Sequence, residues 1–111
     1  MSTAVADAEP AIFAALADPT RWRLLGMLAQ EGDGTATTLA AQLPVSRPAV
    51  IKHLVVLDRA GLVTRQRSGR EVRYRVEPAR LDATARRIAD LAAAWDTRLA
   101  ALKTLAEEAP A

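Results

Sequence analysis

The stretch Ser46-Arg47-Pro48-Ala49-Val50-Ile51-Lys52-His53-Leu54-Val55-Val56-Leu57 decides how this chain folds. Ser46 is a good helix N-cap, because its hydroxyl can accept from a first-turn N–H that has no partner inside the helix. Pro48 is tolerated in the first turn, where a missing N–H breaks no intrahelical bond. Val50, Leu54 and Leu57 fall at i, i+4 and i+7, one stripe of a 3.6-residue period. Gly61 follows as a residue able to take the left-handed conformation that closes helices. The spacing predicts a helix with one buried face and with Arg47, Ile51, Lys52 and Val55 on the other.

Upstream, Thr35 or Thr37 caps a short third helix with Leu39, Ala40 and Leu43 inward, ended by Pro44-Val45. Before it stands the turn Glu31-Gly32-Asp33-Gly34. Asp18-Pro19 opens a second helix running to about Gln30, with Trp22, Leu25, Leu28 and Ala29 as its apolar face. A first helix from Pro10 to about Ala17 carries Ile12, Phe13 and Leu16. Residues 1–9 are small and polar and read as a flexible N-terminus ahead of a single domain at 10–108.

Downstream the period changes. Leu62 to Arg67 and Glu71 to Val76 read as two strands joined at Ser68-Gly69, with Val72, Tyr74 and Val76 alternating with Arg73 and Arg75. From Pro78 to Glu108 the helical period returns. Leu81, Ala85, Ile88, Ala92, Trp95, Leu99, Leu102 and Ala106 alternate steps of four and three, the pattern of a two-helix seam. Some thirty residues at about 1.5 Å each make a rod of about 45 Å. A domain of this size has too little of its own surface to cover it, and a second copy of the chain is the economical partner. The expected fold is therefore mainly α with a small β-hairpin: about five helices, a two-stranded wing, and a dimerisation helix at 78–108.

Two short helices around a tight turn, followed by a basic hairpin, form a winged helix-turn-helix. The net charge of +2 conceals an uneven distribution: −3 over residues 1–45, +6 over 46–80 and −1 over 81–111. Charge concentrated on the fourth helix and the hairpin is what a phosphate backbone attracts. The expected partner is double-stranded DNA. Arg47 stands near the helix N-terminus, where its fork can bridge guanine O6 and N7, and Ile51 can pack on a thymine methyl. Ser46, Pro48 and Lys52 flank them, and Arg65, Arg67, Arg70 and Arg73 surround the hairpin tip, within reach of phosphates or the minor groove. An interaction module that does not read DNA is the alternative, resting on the apolar pair Ile51 and Val55.

These residues resemble a family. Ala14-Ala15-Leu16-Ala17-Asp18-Pro19-Thr20-Arg21 with Leu24-Leu25, Ser46 to Leu57, Ala60-Gly61-Leu62-Val63 and Arg70 to Arg75 look like ArsR-type winged-helix regulators. The resemblance implies a homodimer joined through the first and last helices, with Phe13, Leu81, Ile88, Trp95, Leu99 and Leu102 at its interface. It also implies binding to an inverted repeat and repression of transcription. Relatives that sense metals use cysteines near the third helix or His with acidic ligands on the last helix. This chain has no cysteine, and its last helix has no His. Neither metal sensing nor any cofactor is expected. Arg47 stands where Gln is common in the family, and Val55 where Lys is frequent, so base preference does not carry over.

The remaining classes fall away on composition. Zero cysteine excludes disulfides and thiolate catalysis. His53 and Ser46 are separated by about 10 Å of helix, too far for a nucleophile–base pair, and no phosphate loop is present, so no enzymatic role is expected. No apolar run approaches the roughly 20 residues of a membrane span, and no signal sequence is visible, which points to the cytoplasm. No residue pattern identifies a small-molecule effector.

Overall fold

The computed structural model describes residues 3–108, with side chains from residue 10 onward. Five helices and three strands follow one another: α1 (Thr3–Leu16), α2 (Pro19–Glu31), β1 (Gly34–Thr35), α3 (Ala36–Ala40), α4 (Arg47–Arg59), β2 (Val63–Ser68), β3 (Glu71–Val76) and α5 (Pro78–Glu108). The chain divides into two compact units, Met1–Arg80 and Leu81–Ala111.

In the first unit the helix starts are local chemistry. Asp18 caps α2 by accepting from the Arg21 N–H at 3.0 Å, and Pro19 opens the first turn. Ser46 caps α4 by accepting from the Ala49 N–H at 3.2 Å. Of the two candidates for α3, Thr35 is the cap. It forms a capping box in which Thr38 N–H donates to Thr35 Oγ1 at 3.1 Å and Thr35 N–H donates to Thr38 Oγ1 at 3.0 Å. Helix α4 ends as expected at Gly61, whose φ is +76°. There the Leu62 N–H donates to Leu57 O at 3.0 Å and the Gly61 N–H to Asp58 O at 2.9 Å, the paired bonds of a Schellman cap.

Several boundaries differ from the sequence reading. Helix α1 is described from Thr3, seven residues before Pro10, across Ala4, Ala6 and Ala8, whose helix propensity is the highest available. Met1 and Ser2 of the expected N-terminal segment lie outside the described residues. Helix α3 stops at Ala40 rather than at Pro44: the Gln42 and Leu43 N–H groups donate to Leu39 O and Ala40 O, tightening the chain into i→i+3 turns before the proline. The hairpin turn is Gly69-Arg70, one residue later than expected, because Ser68 pairs with Glu71. Gly69 supplies the positive φ of +63° that a two-residue loop of this kind needs at its first position, and it brings Arg70 to the tip.

The wing also has a third member. Gly34 and Thr35 pair antiparallel with Tyr74 and Arg73, so the sheet order is β1-β3-β2. Under it lies a core of Leu24, Leu28, Leu39, Val50, Leu54, Leu57 and Leu62, each fully buried. The predicted stripe of α4 is thus the buried one. The stripe of α2 is the predicted one only in part: Leu25 and Leu28 are buried as expected and Leu24 joins them, while Trp22 and Ala29 are exposed. At about 100° per residue, Trp22 and Ala29 lie more than a quarter turn from the centre of that face. On α1, Ile12 and Ala15 are buried, Leu16 is half-buried and Phe13 is exposed.

The second unit is the body of α5. At 31 residues the whole helix is about 46 Å long. Ile88, Leu91, Trp95, Leu99, Leu102 and Leu105 are each between 50% and 64% exposed. Among the described residues no helix is long and apolar enough to cross a membrane.

Candidate nucleic-acid interface

The first turn of α4 presents Ser46, Arg47 and Pro48, all exposed, with Lys52 exposed one turn on and Ile51 and Val55 half-buried between them. Burying Val50, Leu54 and Leu57 aims this face outward. Because the Ser46 Oγ accepts from Ala49 and Pro48 has no N–H, the Arg47 N–H is the open backbone donor of the first turn.

The Arg47 side chain does not hang free. Its Nε–H donates to Thr37 Oγ1 on α3 at 3.1 Å, and its two Nη groups carry no bond among the described residues. Arg47 and Arg70, at the wing tip, both line a cleft of about 440 Å³, together with Thr37, Ile51, Glu71, Val72 and Tyr74. Helix α4 and the hairpin therefore present cations to one common space.

The four wing arginines separate into groups. Register pairs Arg65 with Tyr74 and Arg67 with Val72, and directly paired residues share a sheet face, so Arg65 and Arg67 lie on the face that carries the cleft. The Arg67 Nε–H reaches Gly69 O at 3.4 Å. Arg73 lies on the opposite face with Arg75. It is held in two ion pairs, Nη1 to Asp33 Oδ1 at 3.1 Å and Nη2 to Glu71 Oε2 at 3.3 Å. Neither its tie to Asp33 nor that of Arg47 to Thr37 has a sequence signature, since the partners lie 40 and ten residues away.

His53 sits on the side of α4 against α1 and α2. Its Nδ1 accepts from Arg21 Nη1 at 3.3 Å, and Asp18 Oδ2 is 3.9 Å away. The Asp18 carboxyl is held below its ordinary pKa, first by the Arg21 backbone N–H. Desolvation opposes this, and His53, when its ring is protonated, and Arg21 add to it by their charge. This cluster is structural: Ser46 is at the far end of the exposed face and shares no bond with it. Among the described residues, no group of three or more His, Cys, Asp or Glu is arranged to hold a metal ion.

Of the residues expected at a dimer interface, Phe13, Ile88, Trp95, Leu99 and Leu102 are exposed and Leu81 is half-buried. Leu91 and Leu105, outside the expected seam, widen the apolar face of α5. The Arg98 guanidinium stands 5.7 Å over the Trp95 ring.

Residues 16–66 match the model of a helix-turn-helix domain. An arsenic resistance transcriptional regulator of Pseudomonas putida is 38% identical over 69 residues, 62% of this chain and 54% of that protein. A transcriptional repressor of Bacillus subtilis is 35% identical over 63 residues, covering 57% and 69% respectively. The match thus spans about half of the first relative's length. An ArsR-like transcriptional regulator from Rhodococcus sp. RHA1, of known structure, is 44% identical and superposes with a TM-score of 0.84 over 99% of this chain and all of that one.

Proposed function

The chain belongs to the ArsR family of helix-turn-helix transcriptional regulators, which are not enzymes, and from that premise we propose that it is a cytoplasmic repressor that binds an inverted-repeat operator as a homodimer. Helix α4 enters the major groove, with Arg47 and Ile51 at base edges and Ser46, Pro48 and Lys52 along the adjoining backbone. Arg65, Arg67, Arg70 and Arg73 of the wing contact phosphates or the minor groove. The observation that carries this reading is the convergence of Arg47 and Arg70 on one cleft between recognition helix and wing. A duplex strand leaving the major groove passes that space.

The dimer is supported by the exposed apolar face of α5 together with exposed Phe13. An exposed apolar stripe as long as that of α5 marks an interaction site. Metal sensing is not part of the proposal. The relative from Pseudomonas putida is named for arsenic resistance, but this sequence has no cysteine, and its single histidine accepts from Arg21.

A gel shift on DNA selected from a random pool tests the reading. Arg47→Ala changes base preference at one position of each half-site. Arg70→Ala weakens binding to all sequences and lowers the slope of log affinity against log salt by about one. Retention that neither substitution alters at moderate salt rejects the proposal.

A further inference from the structure

Three threonines, Thr35, Thr37 and Thr38, stand within four residues at the start of the helix-turn-helix, and they do different work. The Thr35 and Thr38 hydroxyls are spent on each other and on the backbone of the α3 cap. Thr37, exposed on α3, takes no part in that box, and the side-chain bond it makes is to Arg47. That bond uses Arg47 Nε, the donor in the middle of the side chain, and leaves the terminal Nη pair forward of it. A guanidinium fixed at Nε has its plane set. A free one must give up rotamer entropy when it docks.

We propose that Thr37 is a positioning residue for Arg47: it holds the guanidinium plane across the mouth of the helix–wing cleft, so that the Nη pair meets a base edge already oriented. The inference rests on the reading that Arg47 contacts bases. It adds a specificity determinant on α3, a helix that needs no base contact of its own. The geometry also separates Thr37 from a purely structural role, because its side chain is exposed and Ala36 and Leu39 supply the buried contacts of α3. Losing its hydroxyl removes no core contact.

The test uses the full chain and the operator that the wild-type protein selects, with every base substituted in turn at the half-site position that Arg47→Ala identifies. Thr37→Val is expected to lower discrimination at that position about three- to tenfold, to leave discrimination elsewhere unchanged and to leave the thermal midpoint at the wild-type value. Thr37→Ser, which keeps the hydroxyl, restores discrimination. In an Arg47→Ala background, Thr37→Val has no further effect on base preference, since the group it orients is gone. Arg47→Lys, which has no Nε–H, is no more discriminating with Thr37 than with Val at that position. If Arg47→Ala flattens the position while Thr37→Val behaves as wild type, or weakens all sequences equally, the inference fails and the reading of Arg47 stands. If Arg47→Ala leaves base preference intact, that reading fails and takes the inference with it.

Discussion

Arg21 and His53, one on α2 and the other on α4, meet with Arg21 Nη1 3.3 Å from His53 Nδ1. Arginine can only donate, so the neutral imidazole meets it with Nδ1 as the acceptor. The same guanidinium donates from Nε to Ala15 O at 2.7 Å and from Nη2 to Ala14 O at 3.1 Å, covering the last carbonyls of α1. One side chain thereby ties α1, α2 and the recognition helix together. Lysine has a point charge in place of the fork. Arg21→Lys is expected to cost about 1–3 kcal/mol, read as a lower urea midpoint with an unchanged m-value; a midpoint equal to wild type means the fork carries none of the tie.

Acid should expose the neighbouring carboxylate. Asp18 has a folded pKa below its ordinary 3.8, chiefly because the Arg21 N–H bonds the ionised form. A depressed pKa stabilises the fold at pH above the unfolded value, and the contribution is lost as pH falls through the folded one. Asp18→Asn keeps an acceptor at the cap but does not titrate. Wild type should melt above Asp18→Asn near neutral pH, and the gap should narrow below pH 3.8. A gap independent of pH rules out this linkage.

Gly61 closes the recognition helix at φ +76°, and a Cβ there would lie 2.6 Å from Arg80 Nε. The Arg80 guanidinium itself donates to Ala60 O at 3.3 Å. Gly61→Ala is expected to lower stability by about 1–2 kcal/mol through the left-handed backbone alone. Adding Arg80→Ala should leave most of that cost in place, since the strain is not in the contact. Full recovery in the double variant would assign the cost to the clash instead.

The wing arginines should not be equivalent on DNA. Arg73 already pairs with Asp33 and Glu71, and Arg70 has neither tie. Arg73→Ala is expected to lower the salt slope of operator binding by less than Arg70→Ala, while costing about 0–1 kcal/mol of stability as exposed pairs do. Equal slopes for the two variants would mean that Arg73 leaves its partners to reach the duplex.

Charge placed on the apolar face of α5 tests the dimer. Ile88→Asp with Leu99→Asp puts two carboxylates among side chains that are half or more exposed in one chain. Sedimentation should move to the monomer, and specific affinity should fall with it, because the two half-sites are bound jointly. A profile unchanged from wild type removes the assignment of this face.

The division between what the residues announce and what the fold adds follows range. The caps at Asp18 and Ser46, the stripe Val50, Leu54 and Leu57, and the stop at Gly61 were all legible, since each depends on the period of one helix or on atoms a few residues apart. The helix order, the basic hairpin and the apolar face of α5 were legible for the same reason. Strand β1 was not: two residues, Gly34 and Thr35, become a strand only because Tyr74 and Arg73 lie beside them. The face of α2 was misread at Trp22, because the mean of a short stripe is decided by which neighbours pack on it.

At the candidate interface the sequence by itself determined which cations stand on the recognition helix and wing. Tertiary structure alone decided how they are placed: Arg47 on Thr37, Arg73 on Asp33, and Arg70 lining one cleft with Arg47. Residue type and period place a side chain on its own element, whereas contacts between elements exist only once the packed core of Leu24, Leu39, Val50, Leu54 and Leu57 brings those elements together.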